Sequence, residues 1–201
     1  MNREILTFNY PEAKGVVVCG DIHGAFEEMV FKLCVHYGMT DTLLIVAGDC
    51  GFGFEKPGYY EQIFTKVSRR LTKANNWVVM IRGNHDDPAY FREQRIRHER
   101  FRCIPDYSIV TACGHTILCI GGAISIDRTY RLAVDSRAHS AQTACYWADE
   151  MPYYDKDALA AQWPIQDRYC RNPQISFLLR TDFEGGLDGL GKKRRYLVGR
   201  L

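Results

Sequence analysis

The sequence predicts an α/β domain, and two observations lead to this prediction. Between residues 15 and 126, four short runs of mostly β-branched and apolar residues each end in a glycine-containing turn. The stretches that follow the first two runs carry apolar residues at helical spacing. Runs that are apolar throughout suit strands buried on both faces, and strands that alternate with helices favour a sheet covered by helices.

The four predicted strands share a continuous apolar segment followed by a polar end. In chain order they are Gly15–Asp21, Leu43–Asp49, Trp77–Asn84 and Thr116–Gly122. In α/β domains, ligands collect just beyond the carboxyl ends of the strands. The polar residues at these ends are therefore the first candidates for a functional site.

Helices are predicted in the gaps between the strands. Apolar side chains recur at positions i, i+3, i+4 and i+7 in Phe26–Tyr37 and again in Tyr60–Leu71, as in amphipathic helices. A third helix is expected to begin with Asp87 as N-cap and Pro88 as its first residue, a favoured start. Its predicted body, residues 92–102, is rich in arginine and poor in apolar residues. We interpret this body as a solvated or substrate-facing surface.

The composition is that of an ordinary globular protein. Of the 201 residues, 46% are hydrophobic and 25% are charged, and the formal net charge is +2 at pH 7. These values exclude a disordered tail protein or a fibre, and the charge does not favour a nucleic-acid partner. No apolar run approaches the roughly 20 residues that span a bilayer, and residues 1–5 resemble neither a signal peptide nor a transit peptide. We therefore expect a cytoplasmic protein without a membrane partner.

The cysteines do not indicate a zinc site or a disulfide framework. The chain has eight of them and no Cys-x-x-Cys pair. Several lie within apolar strand-like runs, so buried reduced thiols are the preferred interpretation.

Polar residues follow three consecutive predicted strands. They are Asp21 and His23 after the first strand, Asp49 after the second, and Asn84, His85 and Asp86 after the third. Taken singly, a Gly-Asp pair after a strand is most often a turn, and a loop histidine is most often solvated. Together at three strand ends, they predict a metal site. Carboxylate, imidazole and amide oxygen suit Mn, Fe, Zn, Co or Ni, and a bridging carboxylate would allow two ions about 3.5–4 Å apart.

The ordered motifs resemble those of a known superfamily. Gly20-Asp21-Ile22-His23-Gly24, Gly48-Asp49 and Gly83-Asn84-His85-Asp86 are similar to the signature of the calcineurin-like metallophosphoesterases. Residues 121–127 and 146–152 also resemble segments of a small bacterial and phage subgroup, and the resemblance covers roughly residues 15–155. The resemblance implies that the fold is a four-layer α/β/β/α sandwich. It also implies that the protein hydrolyses phosphomonoesters or phosphodiesters by means of a metal-activated water.

The resemblance implies a set of metal ligands. Asp21 and His23 would hold the first ion, Asp49 would bridge the two ions, and Asn84 would hold the second through its amide oxygen. The implied cofactors are therefore two divalent metal ions. Manganese is among the candidates, and the sequence does not distinguish it from Fe, Zn, Co or Ni.

The resemblance also implies catalytic residues. His85 would protonate the departing alcohol as a general acid, or would donate a hydrogen bond in the transition state. Asp86 would orient His85 or its backbone. The expected partner is a phosphorylated substrate, which could be a small molecule, a nucleotide or a phosphoprotein.

The second motif departs from that of the phosphoprotein phosphatases. Their motif continues as Gly-Asp-x-x-Asp-Arg-Gly, whereas Phe52 and Gly53 occupy the positions of its second Asp and its Arg here. This argues against an outright assignment as a protein phosphatase. Arg128 and Arg131 are candidates for a substrate phosphate contact, although an exposed structural arginine is the alternative for each, and Arg82 is ambiguous in the same way.

The C-terminal quarter departs further. Members of the superfamily complete both metal sites with histidines after the third motif, but this chain has no histidine after His139. His36 and His98, both placed on helices, and His115, at the start of a strand, are expected to be structural, as is His139. Residues 156–201 hold nine Lys or Arg and five Asp or Glu, an excess of positive charge that the rest of the chain lacks.

Two readings of the chain therefore stay open. We predict a metallophosphoesterase domain over residues 1–155 and a divergent basic tail over residues 156–201, which is either disordered or the product of a frameshift. The first reading is an active metal-dependent phosphoesterase. The alternative is a catalytically impaired remnant, or a regulatory protein that binds metal or phosphate. Nucleic-acid binding through residues 92–102 and the tail would rest on charge alone.

Overall fold

The computed structural model describes residues 6–56, 58–122, 129 and 133, together with the backbone of residues 177–180 and 197–200. Within these residues, strands and helices follow in the order β1 (Thr7–Tyr10), β2 (Gly15–Cys19), α1 (Phe26–Phe31), β3 (Thr42–Ala47), α2 (Tyr59–Ala74), β4 (Trp77–Ile81), α3 (Pro88–Arg92), β5 (Phe101–Cys103), β6 (Ser108–Ala112), β7 (His115–Ile120), β8 (Phe177–Arg180) and β9 (Leu197–Arg200). In this part of the chain no helix is long and apolar enough to cross a membrane.

The first sheet is parallel throughout and has the strand order β2-β3-β4-β5. Every residue of β3 is buried, as expected for a central strand covered on both faces. The strands predicted from the first three apolar runs are therefore confirmed as β2, β3 and β4. Because they are parallel neighbours, their carboxyl ends lie at one edge of the sheet.

The second sheet is mixed and has the order β1-β6-β7-β8-β9. The β1–β6 and β7–β8 pairs are parallel, whereas β6–β7 and β8–β9 are antiparallel. The fourth predicted strand is confirmed as β7 and belongs to this sheet. Strands β8 and β9 fall within the predicted basic tail, most of which lies outside the described residues, so the domain boundary at residue 155 stays a prediction.

Side chains that alternate along β3 and β4 separate two cores. Leu44 and Val46, with their counterparts on β4, face α1 and α2. Leu43, Ile45 and Ala47 face the second sheet. This alternation gives a helical layer and two stacked sheets, which confirms the predicted α/β class. The prediction of a fourth layer concerns residues outside the described part of the chain and stays a prediction.

The helix predictions were right for two helices and partly wrong for the third. The first continues beyond α1 as a π-helical segment, Lys32–His36, and α2 covers the predicted stretch. Asp87 does cap α3, since its side chain accepts a hydrogen bond from the Ala89 N–H at 2.9 Å.

The predicted arginine-rich helix body over residues 92–102 is wrong. Helix α3 ends at Arg92. An antiparallel bridge joins Arg97 to Arg102, and Arg102 also belongs to β5, which is part of the parallel sheet. Burial alternates along β5, with Phe101 and Cys103 buried and Arg102 exposed. Strand pairing with β4 and this period of two override the local helical tendency. The prediction that His98 lies on a helix is therefore also wrong.

The cysteines that the structure describes are free thiols. They are Cys19, Cys34, Cys50, Cys103, Cys113 and Cys119, and three of them are buried. Burial raises the pKa of the Cys19 thiol to about 11. These six therefore agree with the prediction of reduced thiols, and Cys145 and Cys170 lie outside the described residues.

Candidate metal centre

The ends of three parallel strands are tied together by backbone hydrogen bonds. The Asp21 N–H donates to the Gly48 carbonyl at 3.2 Å, and the Gly48 N–H donates to the Ile81 carbonyl at 3.0 Å. The His23 N–H donates to the carbonyl of Asp49 at 2.9 Å. These bonds bring the first and second motifs side by side at the carboxyl edge of the sheet.

Three predicted ligands meet at this edge. One ligand atom from each of Asp21, His23 and Asp49 lies within 4.8 Å of the others, and His23 Nε2 is 3.9 Å from Asp49 Oδ2. Donor atoms that share one ion at about 2.0–2.2 Å stand at most about 4.4 Å apart. Small side-chain rotations would therefore bring this set onto one cation. The Asp49 side chain is buried and that of His23 is half exposed, so the cluster opens to solvent on the His23 side.

All three of these residues adopt a left-handed backbone conformation. The φ angles are +55° at Asp21, +42° at His23 and +48° at Asp49. For residues other than glycine this conformation is uncommon, and sparsely populated backbone conformations cost of order 1–3 kcal/mol each. Such strain persists only where the surrounding structure enforces it, and it concentrates at functional sites. Three strained residues in one ligand cluster point to a functional arrangement.

Gly83 allows the third motif to approach the second. A Cβ atom at position 83 would lie 2.1 Å from Asp49 Oδ1 and 2.2 Å from the Asp49 nitrogen. Any side chain there would displace the carboxylate. The glycine before Asn84 is therefore required by close contact between the two loops.

Asn84 and His85 follow directly on the same loop. Asn84 is buried. The His85 N–H donates to Asp49 Oδ1 at 3.3 Å, and the ring centroids of His85 and His23 are 5.9 Å apart. The loop thus lies against the cluster, with the His85 ring on the same side as His23. The roles of Asn84 as a ligand and of His85 as an acid stay predictions.

Asp86 is fully buried and holds two loops together. Its carboxylate accepts hydrogen bonds from the backbone N–H groups of Cys50, Gly51, Phe52 and Gly83, at 2.7–3.0 Å. Burial raises the pKa of this carboxyl, although the N–H donors act in the opposite direction. The side chain thus fixes the second motif against the third.

Phe52 and Gly53 occupy the positions of the Asp-Arg pair of the phosphoprotein phosphatase motif, and Phe52 serves the core instead. Its side chain is completely buried, and its ring packs among five other aromatic rings, those of Phe26, Tyr60, Phe64, Tyr90 and Phe91. The Tyr60 hydroxyl donates to the Gly51 carbonyl and accepts from the Gly53 N–H, both at 2.9 Å. This segment is anchored in the core and presents neither of the polar side chains of that motif.

The arginine candidates have different outcomes. Arg82 is buried, and its guanidinium group forms an ion pair with Asp106. Asp106 was not predicted, because it lies 24 positions from Arg82 in a loop without a recognisable motif. Arg128 and Arg131 lie outside the described residues, so their proposed phosphate contacts stay predictions.

The other histidines within the described ranges lie away from the cluster. His36 ends the π-helical segment, and His115 begins β7, at the end of that strand opposite Gly121. The group of His, Cys, Asp and Glu residues able to hold a metal in this part of the chain consists of Asp21, His23 and Asp49. His139 lies outside the described ranges.

An open cleft of about 600 Å³ adjoins the cluster on the side of β2. Asp21 and Ile22 line one part of it, and most of the other lining side chains are apolar residues of β2, α1 and the π-helical segment. Glu28 and Lys32, which also line the cleft, form an ion pair at 2.6 Å. The approach to Asp21 from this side is therefore mainly apolar.

Comparison with known proteins agrees with the motifs. A family model described as calcineurin-like phosphoesterase matches residues 15–180. A search of the solved structures found no match. The matched range contains β2, β3 and β4 and all the ligand candidates, and it extends past residue 155 into the predicted tail.

Proposed function

The chain belongs to the calcineurin-like phosphoesterase family, and we propose that it is a metal-dependent hydrolase of phosphomonoesters or phosphodiesters. Members of this family act on phosphorylated substrates and typically bind divalent metals. The observation that carries the proposal is the convergence of Asp21, His23 and Asp49 within 4.8 Å at one sheet edge.

The donor atoms fit a divalent cation. Two carboxylates and an imidazole form a borderline to hard set, suited to Mn, Fe, Zn, Co or Ni. The Asp49 carboxylate faces two ways: Oδ2 lies 3.9 Å from His23 Nε2, whereas Oδ1 accepts the His85 N–H. One oxygen thus faces the first motif and the other the third. This arrangement supports Asp49 as the carboxylate that would be shared by two ions, and Asn84 would be a ligand of the second.

The chemistry of a bound pair of divalent ions is acidification of a water molecule and neutralisation of phosphate charge. The protein residues would do the rest. His85 would protonate a departing alcohol or donate a hydrogen bond to a phosphoryl oxygen, and the 5.9 Å between its ring and that of His23 supports this role. Asp86 would act as a positioning residue, because its carboxylate binds the loops and is fully buried.

The second candidate is an impaired phosphoesterase or a regulatory protein that binds metal or phosphate. It is favoured by the ligand count: among the described residues, the titratable ligand candidates of the centre are two carboxylates and one histidine. From the described part of the chain, Asp49 and Asn84 would be the ligands of a second ion. On this reading the protein binds one ion and turns over slowly or not at all.

Metal content and turnover separate the two candidates. Purified protein is loaded with Mn²⁺, and the bound ions are counted by atomic absorption. Hydrolysis of p-nitrophenyl phosphate and bis(p-nitrophenyl) phosphate is then measured. We expect two ions and turnover in the wild type, and a loss of at least about 100-fold in kcat for Asp49→Asn and His85→Ala.

Matched controls come from the same chain. Asp41→Asn makes the same exchange as Asp49→Asn just before β3, at the opposite end of that strand, and His36→Ala removes a histidine from the π-helical segment. Both should retain wild-type turnover. One bound ion without turnover would support the impaired protein, and full activity in Asp49→Asn and His85→Ala would overturn the site.

A further inference from the structure

We propose that the ion pair between the buried Arg82 and the partly buried Asp106 is a positioning device for the metal centre. It locks the end of β7 against the loop that carries Asn84 and His85. The inference rests on the proposed function, because it concerns the geometry of the same site. Arg82 immediately follows β4, and Asp106 lies in the connection between β5 and β6.

The ion pair closes a ring of contacts. Arg82 Nε donates to Asp106 Oδ2 at 2.9 Å, and Nη2 lies 2.8 Å from the same oxygen. The other oxygen of Asp106 accepts the Gly121 N–H at 3.0 Å. The carbonyl of Arg82 accepts the Gly122 N–H at 2.9 Å. The main chain of Arg82 therefore contacts the segment that follows β7 directly, and its side chain contacts the same segment through Asp106.

The ring joins the two sheets at the metal edge. Hydrogen bonds from Asp21 to Gly48 and from Gly48 to Ile81 connect the ends of β2, β3 and β4. The bond from Gly122 to Arg82 continues this row onto β7, which belongs to the other sheet. The end of β7 thus meets β4 through these contacts rather than through a strand ladder.

The contact at Gly121 leaves no free space. A Cβ atom at position 121 would lie 2.5 Å from the Arg82 carbonyl oxygen and 2.7 Å from its Cγ. The backbone after β7 therefore rests directly on Arg82. A movement of Arg82 would be passed along the chain to Asn84, which lies two residues further on.

Burial and pairing argue for positioning rather than substrate contact. The Arg82 side chain is 6% exposed and that of Asp106 is 12% exposed, and two guanidinium nitrogens of Arg82 already contact the carboxylate. Groups that hydrogen-bond to metal ligands change metal affinity or activity by 10- to 100-fold when mutated, as a typical order of magnitude. The pair lies one step further from the ligand candidates, behind the third motif, so we expect an effect near the lower end of this range.

Two variants test the proposal. Asp106→Asn removes the charge and gives Arg82 a poorer partner, whereas Arg82→Lys keeps the charge and loses the guanidinium geometry. Glu93→Gln is the matched control, because it disrupts a surface pair in which the Arg95 Nε lies at the same 2.9 Å from a carboxylate oxygen. Each protein is titrated with Mn²⁺ by calorimetry, and kcat, KM and the melting temperature are measured with p-nitrophenyl phosphate as substrate.

We expect Mn²⁺ affinity and kcat to fall by about 10-fold or more in both variants while KM changes little, and the control to match the wild type. A rise in KM for Arg82→Lys alone would make Arg82 a phosphate ligand and overturn the proposal. So would a lower melting temperature with unchanged Mn²⁺ affinity and kcat. If Asp106→Asn does not fold, Arg82→Lys decides. A wild type that neither binds Mn²⁺ nor turns over refutes the proposed function itself.

Discussion

The Asp86 carboxylate offers the sharpest test of how the site is held together. It is fully buried, and it accepts four backbone hydrogen bonds: Oδ1 from Gly51 and Phe52, and Oδ2 from Cys50 and Gly83. Three of these donors belong to the segment after Asp49, and the fourth precedes Asn84. Removing the carboxylate should therefore loosen both loops at once.

The loss of stability follows from the number of donors left without a partner. A buried N–H without an acceptor costs about 1–3 kcal/mol. Asp86→Asn keeps one oxygen and turns an NH₂ group towards two N–H donors, but it removes the cost of burying a charge, so we expect a loss of about 2 kcal/mol. Asp86→Ala leaves all four donors unpaired, and we expect a loss of at least about 4 kcal/mol. Against a typical total of about 5–15 kcal/mol, either change is large.

The assay is urea unfolding of the metal-free protein at pH 7, followed by circular dichroism. Asp87→Asn is the control, since asparagine caps a helix about as well as aspartate and can still accept the Ala89 N–H. We expect this control to stay within about 0.5 kcal/mol of the wild type. If Asp86→Ala costs less than about 1 kcal/mol, the carboxylate does not hold these amides and the reasoning fails.

Three further outcomes are expected. In metal-free protein, Asp49→Asn should raise the melting temperature, because it removes one of two clustered carboxylates. The same variant should lose the stabilisation by Mn²⁺, which in the wild type reaches about 2.7 kcal/mol at 100 times Kd. Unchanged Mn²⁺ stabilisation would contradict the ligand assignment. Gly83→Ala should weaken Mn²⁺ binding in calorimetry, because its Cβ would meet Asp49 Oδ1 at 2.1 Å, and wild-type affinity would refute the close contact. Burial raises the pKa of Tyr60 to about 12, so the unfolded chain loses this proton first. The free energy of unfolding should therefore fall by up to about 2 kcal/mol as the pH rises from about 10 to 12. Tyr60→Phe should lack this part of the pH dependence, and the same pH dependence in both proteins would contradict the prediction.

The strands that carry the ligand candidates could be predicted from local sequence. Each of β2, β3 and β4 is a short apolar run that ends at a glycine and a polar residue, and this pattern depends only on neighbouring positions. Parallel pairing then places the three ends at one edge. The convergence of Asp21, His23 and Asp49 follows from that pairing, and the structure shows it.

The elements that the sequence did not predict depend on distant partners. Strand β1 pairs with β6, about 100 residues further along the chain. The arginine-rich stretch over residues 92–102 was predicted to be helical, but β4 recruits its end as β5. In both cases the pairing partner, not the local pattern, decides the conformation.

The same distinction runs through the site itself. The sequence alone determined the kinds of ligand candidate, their order and the edge at which they meet, because the strand period and the glycine turns are local signals. The tertiary structure decided which contacts support them: the clamp of Asp86 on a segment about 35 positions away, and the pairing of Arg82 with Asp106. Such contacts form only once two loops pack against each other, and no periodicity in the chain encodes which donor will face which acceptor.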